Sequence, residues 1–114
     1  MEKFEVILVQ FPFTNLEQNK QRPALVLNKT PYSEKLELIT LAMITSKLDG
    51  PRIVGDYEIK DWKGAGLLHP SLLRLAKIAT LENSLVIKTL GFLSETDQKK
   101  VKNAFKEQFK KLFN

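Results

Sequence analysis

The chain contains a single histidine, His69, and no cysteine. A multi-histidine metal site, thiolate chemistry and disulfides are therefore outside its reach. His69 precedes Pro70 in an expected loop, where it reads as a solvated or hydrogen-bonded residue rather than the base of a serine triad. No Gly-rich phosphate loop or dinucleotide fingerprint is present. What remains is chemistry built from arginine, hydroxyl and carboxylate groups. Phosphoryl transfer suits that set, because it asks for positioning and charge stabilisation more than for unusual groups. RNA also carries its own nucleophile, the 2′-hydroxyl. A protein then has to align that group, assist its deprotonation, stabilise the crowded phosphorus and protonate the leaving oxygen. Arginine clamps phosphate oxygens bidentately, and a threonine or serine hydroxyl adds a further donor. The composition permits this chemistry without requiring it.

Such groups would be carried on short strands followed by one helix. A chain of 114 residues is expected to be one domain over its whole length, residues 1–114, with a core of its own. Glu5 to Gln10 is apolar and β-branched and reads as a strand; Phe11 to Gln21 reads as an exposed loop. Arg22-Pro23 opens a strand over Ala24 to Asn28, with proline at a position where a ladder donor is dispensable. Lys29 to Lys35 reads as a polar connection. Leu36 to Ile44 is apolar on both faces and is expected to be central. Arg52 to Asp61 reads as a strand of mixed polarity, the glycines of Trp62 to Leu68 mark a tight bend, and Leu72 to Ile78 reads as a strand. Thr80 to Ser84 reads as a turn or one helical turn, and Leu85 to Leu90 as a last strand. Many short strands at such intervals indicate a barrel or sandwich. From Ser94, with Asp97 three residues on as a weaker capping box, Val101, Ala104, Phe105, Phe109, Leu112 and Phe113 recur at helical spacing. This predicts a β-rich α+β fold with a C-terminal amphipathic helix packed on the sheet.

The net charge of +5 favours phosphate-bearing or acidic partners, although many basic proteins bind no nucleic acid. The lysines beyond Ser94 read most simply as a solvated helix face. The apolar run Val6 to Val9 is too short for a signal peptide or a membrane span, so the expected address is the cytoplasm, without a membrane partner.

Four blocks carry a resemblance: EVILVQFPFTNLEQNKQRPALVL, LAMITSK, WKGAGLLHPSLLRLAKIATL and LGFLSETDQKKV. In this order they resemble the MazF/PemK toxins of type II toxin–antitoxin systems and cover nearly the whole chain. The resemblance implies an SH3-like β-barrel, usually a homodimer. It implies metal-independent and cofactor-free cleavage of single-stranded RNA, giving 2′,3′-cyclic phosphate and 5′-hydroxyl ends. The implied partner is an antitoxin with an acidic, flexible tail.

By the same resemblance Arg22 falls on the catalytic arginine and Thr45 on the catalytic threonine, with Ser46 a further candidate for the same pocket. Without the motif, Arg22 reads as a surface ion pair and Thr45 as a strand-end hydroxyl. Glu17 and Gln18 line the RNA path or serve only loop solubility; Lys20 and Arg74 are further candidates for contact with RNA, and Ser71 is expected to be structural. The chain departs from the family where Phe4-Glu5 replaces Gly-Asp, and where Asn15-Leu16 replaces Gly-Ser. Phenylalanine is not expected to follow the backbone freedom of glycine. Other readings are a non-catalytic member, a topoisomerase-docking toxin acting through its C-terminus, and an SH3-like adaptor. The adaptor needs an aromatic groove, yet Tyr32, Tyr57 and Trp62 are spread over separate loops. The C-terminal Lys-Leu-Phe-Asn is expected to be used in packing.

Overall fold

The computed structural model describes residues 2–10 and 20–113. Six strands, β1 (Glu5–Gln10), β2 (Gln21–Pro31), β3 (Glu37–Thr45), β4 (Asp56–Glu58), β5 (Leu72–Glu82) and β6 (Val86–Phe92), precede helix α1 (Glu95–Gln108). They form one sheet in the order β4-β5-β3-β2-β1-β6, with every neighbouring pair antiparallel. The central place of β3 follows from its two apolar faces. Among the described residues no ladder joins β4 to β6, so the sheet stays open where a closed barrel was expected.

Strand alternation divides the core in two. Val6, Leu25, Ala42 and Ile44 pack with Ile59, Ala65, Leu67, Leu93 and Val101, under the bend and the helix. Ile7, Val9, Ala24, Val26, Ile39 and Leu41 gather with Leu81 in a second cluster.

Several elements differ from the sequence expectation. β2 runs on to Pro31, because Lys29, Thr30 and Pro31 still pair with β3. Their place in a polar stretch made them read as a connection. β5 continues to Glu82: the ladder jumps from Met43↔Arg74 to Ala42↔Ile78, leaving Leu75, Ala76 and Lys77 in a bulge, then resumes. The turn moves to a 3-10 stretch at Asn83–Leu85. The strand expected over Arg52 to Asp61 shrinks to three residues. A turn precedes it: the Asp56 amide donates to the Ile53 carbonyl at 3.1 Å, and the Ile53 amide to Asp56 Oδ2 at 3.0 Å.

Phe4 adopts φ +69°, the left-handed region in which the expected glycine would be at ease. The strain is of the order of 1–2 kcal/mol. Two backbone hydrogen bonds hold it there: the Phe4 amide donates to Val26 O at 2.8 Å, and the Leu93 amide donates to Phe4 O at 3.1 Å. Its ring is buried in the first cluster, with Lys102 Nζ 5.6 Å from the ring centre.

Ser94 caps α1 as expected, accepting from the Asp97 amide at 3.1 Å. The apolar stripe is less buried than expected. Val101 is buried and Ala104 half-buried, but Phe105 is partly exposed, and Leu112 and Phe113 are 74% and 85% exposed in the 3-10 turn Lys110–Phe113. The C-terminal end therefore does not pack on the sheet.

Candidate functional site

Arg22 lies at the start of β2 and Thr45 at the end of β3. The β2–β3 ladder ends at Ala24↔Met43, two residues inside Arg22 and Thr45, so both residues lie at the same end of the sheet. This placement is local in cause: Pro23 is accommodated where β2 begins, and β3 ends as the Lys47 amide turns back to donate to Thr45 Oγ1 at 3.2 Å. That bond uses a lone pair of the hydroxyl and leaves its proton to be donated.

Here the strand ends surround a cleft of about 560 Å³. Arg22, Thr45 and Ser46 line it, together with Lys47, His69, Ser71 and Lys88. Leu8, Pro23, Ile44, Leu67 and Leu90 form its apolar wall. The β1–β6 ladder sets Lys88 opposite Leu8, which brings that cation to the mouth from the edge strand. Arg22 is half-buried, and among the described residues no hydrogen bond or ion pair holds its guanidinium, so the surface ion pair does not form there. Arg22, Lys47 and Lys88 give the cleft a positive lining, with no carboxylate among the described lining residues.

The other sequence candidates fare differently. Arg74 is not brought to the cleft. It sits on β5 opposite Met43 and Asp56, and its guanidinium lies 3.8 Å from the Asp56 carboxylate. Arg74 therefore stands apart from the residues that line the cleft with Arg22 and Thr45. Lys20 is half-buried just before Gln21, which does line the cleft, but it is not itself among the lining residues. Glu17 and Gln18 lie outside the described residues. Ser71 is buried and donates to the His69 carbonyl at 2.8 Å, a structural use that also holds the cleft wall in place. Sequence reasoning missed Lys47, Lys88 and the placement of His69. Lys47 follows Thr45-Ser46 directly, so its position was a legible signal; Lys88 comes from a strand whose register no local pattern gave.

Behind the cleft, Asp97 anchors the bend. Its carboxylate accepts from Tyr57 Oη at 2.6 Å, from the Lys60 amide at 3.0 Å, from the Asp61 amide at 2.9 Å and from Ser94 Oγ at 3.2 Å. Burial alone would raise its pKa, but these donors hold it below the usual carboxylate value. Burial, then the hydrogen bond and charge of Asp97, push the Tyr57 phenol well above its ordinary value. Among the described residues no group of three or more His, Asp or Glu side chains gathers where it could hold a metal ion. Nor is any helix among them long and apolar enough to cross a membrane.

Comparison with solved structures places the fold. The chain superposes on a Mycobacterium tuberculosis toxin, MazF-mt6, with TM-score 0.70 at 19% identity, covering 93% of this chain and 96% of that one. It matches an endoribonuclease in complex with its cognate antitoxin from a mycobacterial species with TM-score 0.70 at 11% identity, covering 94% and 92%. MazF from Deinococcus radiodurans gives TM-score 0.67 at 17% identity, covering 96% of each chain. At these identities the likeness concerns the fold. No curated protein matches the chain by sequence. The family model of the PemK-like, MazF-like toxins matches residues 2–109, and on that match the chain belongs to this toxin family of type II toxin-antitoxin systems.

Proposed function

We propose that this toxin is a metal-independent endoribonuclease that cleaves single-stranded RNA, one domain over residues 1–114 acting in the cytoplasm as a homodimer. The observation that carries the proposal is that Arg22 and Thr45 line one cleft together with Lys47 and Lys88. In this reading Arg22 clamps the non-bridging oxygens of the scissile phosphate and stabilises the charge that grows on them in the transition state. Thr45 donates its hydroxyl proton to the same oxygens, and Ser46 stands ready beside it. Attack by the 2′-oxygen then yields a 2′,3′-cyclic phosphate and a 5′-hydroxyl. Lys47 and Lys88 would track the flanking phosphates, and the apolar wall offers surface for unstacked bases. An antitoxin with an acidic, flexible tail fits the same positive lining. The structural relative found with its cognate antitoxin supports that partnership by analogy.

The test is incubation of purified protein with a long single-stranded RNA in EDTA, beside Arg22→Ala, with the new ends mapped. We expect discrete cuts bearing 5′-hydroxyls, slowed at least about 100-fold in the variant while its melting curve is unchanged. Intact RNA with a folded wild type across several substrates would overturn the proposal.

The exposure of Leu112 and Phe113 favours a second reading, in which the C-terminal turn docks on a protein target. Deleting residues 111–114 would then abolish toxicity, whereas a ribonuclease acting through the cleft would keep cutting RNA and Arg22→Ala would silence it.

A further inference from the structure

We infer that His69 is the general acid of this cleft, the group that protonates the leaving 5′-oxygen. The inference rests on the ribonuclease reading above and adds a catalytic residue to it. Breaking the P–O5′ bond expels an alkoxide, which is a poor leaving group unless it takes up a proton as it departs. The cleft has to supply that proton. Arginine and threonine are poor sources: the guanidinium stays protonated at any working pH, and the hydroxyl is a far weaker acid still. Lys47 and Lys88 belong to a residue type that also holds its proton near neutrality. Imidazole is the side chain whose ordinary titration falls near neutral pH, and it can both give a proton and regain one. His69 is the one histidine of the chain, and it lines the same cleft as Arg22 and Thr45. Among the described lining residues no carboxylate competes for the role.

The local structure suits the task. His69 is exposed and lines the cleft, while its backbone carbonyl is fixed by the buried Ser71 hydroxyl at 2.8 Å. Ser71 in turn begins the run into β5, whose first residue, Leu72, pairs with Thr45. The wall bearing His69 and the strand bearing Thr45 are thus tied by one ladder. The sequence offered only a loop histidine before a proline; the fold places that loop at the cleft.

The 2′-hydroxyl loses its proton to solvent water, O2′ forms a bond to phosphorus, and the P–O5′ bond breaks. The bond pair stays on O5′, which takes the proton of the His69 imidazolium. The neutral imidazole then recovers a proton from water.

The test compares two leaving groups. Once the cleavage site has been mapped in long RNA, an oligonucleotide with one cleavable ribonucleotide is made in two forms, with an ordinary 5′-oxygen or a 5′-bridging sulfur. A thiolate leaves without help, so it does not need the acid. For His69→Gln we expect about 100-fold slower cleavage of the oxygen substrate, and a rate within about threefold of wild type on the sulfur substrate. His69→Asn, with an unchanged melting temperature, should behave the same. An equal loss on both substrates would make His69 a positioning residue and overturn the inference, as would no loss on either. Wild type that cuts neither substrate would instead overturn the ribonuclease reading beneath it.

Discussion

Asp97 shows how one side chain holds the cleft's surroundings together. It is fully buried, and its carboxylate collects four donors from three segments: Tyr57, the Lys60–Asp61 backbone and the α1 cap. Hydrogen bonds to a charged acceptor are the stronger kind, and a buried donor left unpaired is costly. Asp97→Asn would place an amide NH₂ against some of these donors, and we expect a loss of roughly 2–4 kcal/mol by urea or thermal unfolding. Because the folded-state pKa is depressed, Asp97 stabilises the fold above its unfolded value and that share is lost as pH falls through the folded value. The gap between wild type and variant should therefore narrow in acid; a gap that widens below pH ~4 would contradict the assignment. Glu5 adds in the same direction. Burial opposes its charge, but hydrogen bonds from Thr89 and from the Glu2 amide outweigh that and lower its pKa. The sequence showed Asp97 only as a cap residue. Its other partners lie in residues 57–61, about forty positions earlier, and no local pattern reports them.

At the scale of elements, the cleft depends on how closely the bend approaches β6. Gly66 lines the cleft at φ +81°, and a Cβ there would stand 2.0 Å from the Leu90 carbonyl oxygen. Neither the backbone angle nor the backbone neighbour can yield cheaply. We expect Gly66→Ala to destabilise the fold by about 3 kcal/mol or more and to lower RNA cleavage in the residual folded fraction. Wild-type stability and activity in this variant would show that the bend can move away from β6. The two glycines of this bend were legible as a turn, because glycine is the residue that permits one. The contact they make was not, since Gly66 and Leu90 are distant in sequence. The same limit applies to β5: its alternation breaks at the bulge, so the pattern lost the strand just where pairing with β3 carried it on.

The whole molecule carries a net charge of +5, and the structure concentrates three cations, Arg22, Lys47 and Lys88, at one mouth. Each phosphate neutralised on a single strand releases counterions, with a salt slope near −0.7 per contact. The affinity for an uncleavable 2′-O-methyl RNA should then fall with salt with a log–log slope of about −2, and Lys88→Gln should reduce that slope by about 0.7. Salt-independent affinity would place RNA elsewhere. The lysines of α1 are remote from this count, in keeping with a solvated helix face. The apolar residues at the helix end depart from the expected packing: periodicity marked Leu112 and Phe113 as core-facing, but α1 stops at Gln108 and the 3-10 turn carries them into solvent.

Legible in the residues were the family, most of the strands in order, the helix with its serine cap, and Arg22 and Thr45 as the pair to watch. These are local or collinear properties: alternation, capping and short motifs are written in neighbouring residues. It took the folded chain to show that Arg22 and Thr45 line one cleft, that Lys88 and His69 join them, that Arg74 pairs with Asp56, and that the sheet remains open. Each of these rests on a pairing or packing contact between residues far apart in the chain. Local propensities do not carry that information, because the free energy that fixes it comes from burying surfaces that meet only after the chain has folded.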